Sequence, residues 1–242
     1  MTGEAAGPAA APRLAVIGDG KMGRTIVQLA PERGFTMCAV IGARHNPGGR
    51  GVTRAALNGA DVAVEFTEPA AAAANVEAAL RAGVPIVSGT TGWYDELPRL
   101  QALATELDGA LFTAPNFSVG VAVFARIAER AATLLAPLTG FDAELVETHH
   151  RAKKDAPSGT AAMLRDVIQP ALGRELPVTS VRVGSVPGTH ELILDAPFEQ
   201  IRLTHEARDR RVFADGALLA ARWLIGRRGV YSMTDLLDSL LP

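Results

Sequence analysis

Two adjacent histidines and a group of cations stand together in the stretch Glu147–Ala161. His149 and His150 come first, and the cations follow at once as Arg151, Lys153 and Lys154. Like charges this close repel one another, which raises the cost of removing them from water. The stretch is therefore suited to binding an anion. A histidine titrates near neutral pH, so His149 or His150 could also pass a proton to a reacting group.

The residues around these side chains predict how they are positioned. Asp142–Glu147 has the alternating polarity of a half-buried strand, which would deliver Glu147 and His149 to one face and His150 to the other. Pro157 and Ser158 suit the start of a helix, with Ser158 as the N-cap. The next main-chain N–H groups would then be free to bind a carboxylate or phosphate. The alternative is a solvated basic loop that caps an ordinary helix.

The order Glu147-x-His149-His150-x-x-Lys153-x-Asp155-Ala156-Pro157-Ser158-Gly159-Thr160-Ala161 resembles the signature of the dihydrodipicolinate reductase (4-hydroxy-tetrahydrodipicolinate reductase) family. The resemblance implies reduction of 4-hydroxy-tetrahydrodipicolinate to tetrahydrodipicolinate by NADPH or NADH, in lysine and diaminopimelate biosynthesis. It implies that His149 is the proton donor and acceptor and that Lys153 is a second catalytic donor. The residues implied in holding the small dicarboxylate substrate are His150, Ser158, Gly159 and Thr160. No metal site is expected.

A glycine-rich loop near the beginning of the chain has the G-x-G-x-x-G spacing. Arg13–Ile17 predicts a strand, Gly18–Gly23 is the loop, and Arg24–Arg33 has apolar residues at helical spacing. Strand, glycine loop and helix in this order are typical of dinucleotide binding. Alone, the loop could be a glycine-rich turn without a ligand. The family more often shows G-x-x-G-x-x-G, so this loop is one residue shorter.

Strands and helices alternate through the first part of the chain. The predicted strands are Phe35–Ile41, Asp61–Phe66, Val84–Ser88 and Ala110–Thr113, and the predicted helices are Ala70–Ala82, Trp93–Leu107 and Val119–Leu135. This pattern predicts an α/β fold with a Rossmann-type doubly wound parallel sheet. Ligands bind at the carboxyl ends of such strands. Three loops fall there and resemble the family's cofactor-contacting loops, although ordinary turn chemistry could explain any one of them. The expected cofactor-binding residues are Gly18, Asp19, Gly20, Lys21, Met22, Gly23, Arg44, Phe66, Thr67, Gly89, Thr90, Thr91, Ala114, Pro115, Asn116 and Phe117.

The segment after the second strand bears on the choice of cofactor. Folds that bind NAD commonly hold the ribose 2′-OH with an acidic residue about 20 residues past the glycine loop. Between Gly34 and Ala60 the chain has no Asp or Glu, whereas Arg44 and Arg50 could pair with a 2′-phosphate. The sequence therefore predicts that NADPH is used at least as well as NADH. The alternative is a flexible loop whose arginines face water.

From Phe141 the pattern changes to that of a second, α+β domain. The signature strand and a helix over Ser158–Ile168 are followed by predicted strands at Val178–Val186, His190–Ala196 and Glu199–His205, and then by a helix over Phe213–Ile225. Successive strands without helices predict a mostly antiparallel sheet. The expected organisation is a disordered tail over 1–12, a dinucleotide-binding domain over 13–117, a substrate-binding and oligomerisation domain over 118–225, and a segment over 226–242 that, by the resemblance, returns to the first domain.

Composition narrows the class of protein. A net charge of −2 over 242 residues implies no general affinity for nucleic acid or an anionic membrane, and Cys38 alone cannot form an intrachain disulfide. No apolar run approaches the roughly 20 residues of a membrane helix. A cytoplasmic enzyme is expected, homotetrameric by family analogy. Two alternatives are a similar dehydrogenase acting on another small amino or keto acid, and a non-catalytic dinucleotide sensor, which would be expected to have lost His149 or Lys153.

Overall fold

The computed structural model describes residues 10–240, so most of the tail expected over 1–12 lies outside the described residues, as do residues 241–242. The strands are β1 Arg13–Ile17, β2 Thr36–Ile41, β3 Val62–Glu65, β4 Ile86–Ser88, β5 Ala110–Thr113, β6 Asp142–His149, β7 Val178–Arg182, β8 Thr189–Ala196, β9 Glu199–Glu206 and β10 Gly229–Tyr231. The helices are α1 Lys21–Leu29, α2 Pro69–Arg81, α3 Leu97–Glu106, α4 Val119–Leu135, α5 Gly159–Leu172, α6 Arg211–Leu224 and α7 Met233–Asp238.

The chain forms two compact units. Of the described residues, the first holds 10–114 and Ala214–Ser239, and the second holds Pro115–Phe213 and Leu240. Helix α6 from Ala214 onward therefore packs with the first unit, whereas the sequence analysis assigned residues up to 225 to the second domain. Its apolar face explains the difference, since Ala217, Ala221 and Leu224 are fully buried. An amphipathic pattern predicts a helix but does not say which core the helix covers.

The first unit is a six-stranded sheet in the order β10-β5-β4-β3-β1-β2, and every neighbouring pair is parallel. Leu14–Ile17 and Val62–Val64 are fully buried, as strands covered on both faces must be. Helix α1 begins at Lys21, earlier than predicted, and places Gly23 inside its first turn. The doubly wound parallel sheet expected from the sequence is confirmed.

The second unit is a four-stranded sheet in the order β7-β6-β8-β9. β8 is antiparallel to β6 and β9, while β7 is parallel to β6. The expected α+β unit is confirmed, with one parallel pair in a mixed sheet. Helices α4 and α5 share a core with the sheet residues Leu145, Leu192 and Leu194. Within residues 10–240, no helix has the length and apolar character needed to cross a membrane.

Candidate functional site

Strand β6 carries a buried row of side chains that changes from apolar to polar toward its carboxyl end. Leu145, Glu147 and His149 are all buried and alternate along the strand. On β8, Leu192 pairs with Leu145 and His190 pairs with Glu147. The expectation that Glu147 and His149 share one face is confirmed. A carboxylate and two imidazoles therefore continue the core of the second unit.

Glu147 fixes the orientation of the His149 ring. Its Oε2 accepts a hydrogen bond from His149 Nδ1, and its Oε1 accepts from Arg182 Nη2 at 2.7 Å and from the Ser158 N–H at 3.3 Å. Burial would raise the pKa of Glu147, but hydrogen bonds from Arg182, Ser180 and His149 outweigh it and lower the pKa to about 2. An ionised carboxylate only accepts hydrogen bonds, so Nδ1 carries the hydrogen and Nε2 is left for proton exchange.

The surroundings of His149 favour its neutral form. Burial lowers the pKa of His149 and outweighs the opposing effect of Glu147, and the nearby charge of Lys153 lowers it further. A Cβ on Gly188 would lie 3.0 Å from His149 Nε2, so glycine at this turn keeps that nitrogen uncrowded. The ring of His190 lies edge-on to His149 with 5.4 Å between ring centroids. Burial also lowers the pKa of His190 to about 4, so His190 is neutral at pH 7.

Helix α5 begins beside this cluster, and its N-terminus is arranged as the sequence predicts. Ser158 Oγ accepts from the Ala161 N–H at 3.1 Å, which confirms Ser158 as the N-cap. The Ser158 side chain is buried, and no atom lies within 4 Å of a Cβ built on Gly159. Thr160 Oγ1 accepts from Asn116 Nδ2 at 2.9 Å. The helix start is thus fixed by two side-chain contacts and open at Gly159.

Two cations, Lys153 of the signature and Arg182 of β7, contact the carboxylates of Asp155 and Glu147. Lys153 Nζ donates to Asp155 Oδ2 at 2.9 Å, and this hydrogen bond is the main reason that the pKa of Asp155 is lowered. Arg182 Nη2 bridges Glu147 to the Asp155 carbonyl oxygen at 2.6 Å. His150 follows β6 and is half-buried. The structure therefore brings together the predicted residues His149, Lys153, Ser158, Gly159 and Thr160 in one unit.

Glu147, His149 and His190 have side chains of the kinds that bind metal ions in proteins. The ligand-type atoms of Glu147, His149 and His190 lie within 4.8 Å of one another in the part of the chain that the structure describes. Both oxygens of Glu147 already accept hydrogen bonds from His149 and Arg182. A cation would have to displace the Arg182 guanidinium. The cluster is better suited to holding and moving a proton.

In the first unit, a cleft of 480 Å³ lies at the carboxyl ends of β1, β2 and β3, where the direction of strand order reverses. It is lined by Gly18, Asp19, Gly20, Ile41, Ala43, Asn46, Pro47, Gly48, Phe66, Thr67, Glu68, Ala70 and Ala71. A cleft of 430 Å³ adjoins it and is lined by Gly20, Lys21, Met22, Phe66, Thr67, Pro69, Gly89, Thr90 and Thr91. The two clefts share Gly20, Phe66 and Thr67.

The three loop glycines fit a bound dinucleotide. Gly18 has a φ of +111°, and a Cβ there would lie 2.0 Å from the Phe66 carbonyl oxygen. A Cβ on Gly23 would lie 2.0 Å from the Gly18 carbonyl oxygen. Gly20 has no atom within 4 Å of its Cβ position, and α1 has no side-chain cap. A phosphate group can therefore approach the main chain at Gly20 and the free N–H groups of the first turn.

A buried hydrogen-bond network, not identified from the sequence, connects the loops at the carboxyl ends of the parallel strands. The Glu65 carboxylate accepts hydrogen bonds from Thr67 Oγ1, from Ser88 Oγ at 2.6 Å and from Thr90 Oγ1 at 2.8 Å. Asn75 Nδ2 donates to Thr67 Oγ1 at 3.1 Å, and Asn46 Nδ2 donates to Asn75 Oδ1 at 2.7 Å. The loops after β2, β3 and β4 are thereby connected.

Some predicted cofactor residues lie away from the clefts. Arg44 is exposed and is not among the lining residues. Gly23 lies within α1, and Ala114 is buried after β5. The remaining three, Pro115, Asn116 and Phe117, belong to the second unit.

Glu147, Arg182 and Glu65 were not among the predicted site residues. Glu147 stands in the signature two positions before His149, which is the signal that could have identified it. Arg182 pairs with His149 across β6 and β7, and this register is not visible in the sequence.

Comparison with known proteins identifies the family. The family model described as dihydrodipicolinate reductase, N-terminus, matches residues 12–117, and the C-terminus model matches residues 120–237. A 4-hydroxy-tetrahydrodipicolinate reductase from Thiobacillus denitrificans is 38% identical over an alignment covering 93% of this chain and 98% of the relative. One from Haloarcula marismortui is 44% identical, covering 74% of this chain and 77% of the relative. The solved structure of a dipicolinate-bound dihydrodipicolinate reductase from Paenisporosarcina sp. TG-14 superposes with a TM-score of 0.79, at 22% identity, covering 93% of this chain and 99% of that one. The signature around His149, the glycine loop and both family models agree: the chain belongs to the dihydrodipicolinate reductase family.

Proposed function

We propose that this chain reduces 4-hydroxy-tetrahydrodipicolinate to tetrahydrodipicolinate, with NADH or NADPH, in lysine and diaminopimelate biosynthesis. The observation that carries the proposal is the oriented His149, held by Glu147 and Arg182 within the family signature. Such a group supplies a proton at a fixed position, and the reaction needs one, because a hydride replaces the 4-hydroxyl group, which leaves as water.

His149 and Lys153 handle the protons. When bound, the nicotinamide supplies the hydride, and the chain supplies orientation and charge. His149 Nε2 is the donating and accepting atom, because Nδ1 is held by Glu147. Lys153 acts as the second donor after its ammonium leaves Asp155, which it contacts in this structure.

The N-terminus of α5 holds a substrate carboxylate. Gly159 and Thr160 offer main-chain N–H groups at the positive end of the helix dipole, and His150 contributes nearby. The Ser158 hydroxyl is buried and caps the helix, so its contribution is to fix the position of Gly159 and Thr160.

The dinucleotide occupies the clefts of the first unit. Gly18–Gly23 would hold its phosphates, since Gly20 is open and the first turn of α1 lacks a side-chain cap. The second cleft is bordered by Phe66, Thr67, Gly89, Thr90 and Thr91, which would hold the rest of the dinucleotide. Ala114, Pro115, Asn116 and Phe117 remain proposed contacts through the loop that follows β5.

A coupled assay tests the function. Dihydrodipicolinate synthase generates the substrate, and the absorbance of the reduced cofactor falls only if this chain turns the substrate over. Pyridine-2,6-dicarboxylate, a planar dicarboxylate like the product, should inhibit competitively with the substrate. No turnover with either cofactor would refute the proposal. Inhibition competitive with the cofactor would show that the carboxylate site is placed in the wrong unit.

The enzyme is proposed to act in the cytoplasm as a homotetramer assembled through the sheet of the second unit. The neutral overall charge and the single cysteine are consistent with a cytoplasmic enzyme. Apolar side chains exposed on that unit, among them Phe198 and Ile201, are consistent with a further interface.

A further inference from the structure

Strand β2 ends without the acidic residue that NAD-binding folds commonly place there. The chain continues from β2 as Gly42 and Ala43, and no Asp or Glu occurs between Gly34 and Ala60. The position that a side chain on Gly42 would take is nevertheless filled. A Cβ on Gly42 would lie 2.5 Å from Asp19 Oδ2 and 2.7 Å from Asp19 Cγ. Asp19 belongs to the glycine loop, and its carboxylate thus stands where an acid after β2 would stand.

Two contacts give the direction of the Asp19 side chain. Oδ1 accepts a hydrogen bond from the Ala43 N–H at 3.3 Å, which ties the carboxylate to the end of β2. Asp19 also lines the 480 Å³ cleft, together with Ala43, Asn46 and Gly48 from the loop after β2. The carboxylate is exposed, so its remaining lone pairs can accept hydrogen bonds from a ligand in the cleft.

The charge of Asp19 is not neutralised by a neighbour. Within residues 10–240 no Lys or Arg side chain forms a salt bridge with it, and Arg24 Nε donates to the Asp19 carbonyl oxygen, at 2.8 Å, not to the carboxylate. Arg44 and Arg50, which the sequence analysis considered as partners of a 2′-phosphate, are exposed and do not line the cleft. The charge that a ligand meets at this end of the cleft is therefore negative.

We propose that Asp19 replaces the missing acid after β2: it accepts a hydrogen bond from the adenosine ribose hydroxyls and repels a 2′-phosphate, so that the chain prefers NADH. The inference rests on the proposed function, which supplies the dinucleotide. It reverses the preference expected from the sequence, because that expectation considered only acids that follow β2 in the chain.

Calorimetric titration of NADH and NADPH without substrate tests the inference independently of turnover. The wild-type chain should bind NADH more tightly, and this preference should weaken with salt because screening reduces repulsion. Asp19→Ser should shift the ratio of the two dissociation constants toward NADPH by about tenfold or more, since it removes a charged hydrogen-bond acceptor and a repulsive charge. Asp95→Ser removes the same charge from an exposed position outside the clefts, and it should leave the ratio unchanged.

A second variant moves the carboxylate from the glycine loop to the end of β2. It tests whether a negative charge at this position is enough for the NADH preference. Gly42 has φ −83° and ψ 164°, which any residue adopts, and the three atoms nearest to its Cβ position all belong to Asp19. Asp19→Ser combined with Gly42→Asp should therefore restore the NADH preference. An unchanged ratio in Asp19→Ser, or a wild-type chain that binds NADPH at least as tightly, would overturn the inference alone. If neither dinucleotide binds, the proposed function fails with it.

Discussion

His149 depends on its neighbours for both its orientation and its protonation. Glu147 selects Nε2 as the exchanging nitrogen, and burial lowers the pKa of the ring. The sequence placed Glu147 and His149 on one face because alternation along a strand is fixed by backbone geometry. It could not supply Arg182, which reaches Glu147 only through the parallel pairing of β6 with β7. Partners separated by 35 residues along the chain leave no periodic signal.

His149→Gln and Lys153→Met should each lower kcat by about 10²- to 10⁴-fold, the usual contribution of a positioned proton donor. The dissociation constants of the dinucleotides should barely change, because neither residue lines the clefts of the first unit. Lys154→Met is the matched control: it removes the same charge from an exposed position, so any loss of anion attraction raises KM while kcat stays near the wild-type value in the coupled assay. Near wild-type kcat in either of the first two variants would remove that residue from the mechanism.

Glu147→Gln should lower kcat and change its pH dependence. The carboxylate raises the pKa of His149 against the lowering effect of burial, so its loss lets that pKa fall further. A proton donor is active below its pKa, and the basic limb of the kcat/KM profile should therefore move to lower pH. Glu144→Gln is the control, since Glu144 lies on the same strand and its carboxylate accepts from Thr179 Oγ1 at 2.6 Å. Identical pH profiles for the two variants would contradict the orienting role of Glu147.

At the scale of elements, the sequence located nearly every strand and helix, because apolar periodicity follows directly from the geometry of each. The ends were less well predicted. Helix α1 begins at Lys21 and has Gly23 in its first turn, whereas the sequence pattern assigned Gly23 to the glycine loop. The network around Glu65 was not predicted at all. Its members lie at or after the ends of β2, β3 and β4 and in the alanine-rich helix α2, and only the parallel sheet brings them together.

Glu65→Leu should raise the dissociation constants of both dinucleotides, by about tenfold, because Thr67 and Thr90 lose their acceptor and the loops that border the clefts are released. Thr90 Oγ1 accepts from the Thr67 N–H at 2.8 Å, so its own hydrogen must point to Glu65. Glu65→Gln should have little effect, since an amide oxygen can accept from both threonines while its NH₂ group donates to Ser88. Calorimetry measures the affinities.

Val87→Ala controls for a loss of stability alone. Val87 is fully buried on β4 next to Ser88 and has no polar group in the network. This change should lower the melting temperature and leave the dissociation constants as they are. If Glu65→Leu behaves in the same way, the network supports the fold without positioning the loops.

At the scale of the whole molecule, the proposed homotetramer gives the last prediction. In the second unit Phe198 is fully exposed in the turn between β8 and β9, and Val181, Val183 and Ile201 are exposed as well. Phe198 and Ile201 lie close together in the chain at the β9 edge of the sheet, and exposed apolar side chains are a feature of interaction surfaces. Light scattering should give about four times the chain mass of 25.3 kDa. Phe198→Asp combined with Ile201→Asp should lower that mass, because a buried unpaired carboxylate opposes association. Leu107→Asp, at a similarly exposed position in the first unit, should not. A monomeric wild-type chain, or a double variant that keeps its mass with an unchanged circular dichroism spectrum, would show that this sheet is not the interface.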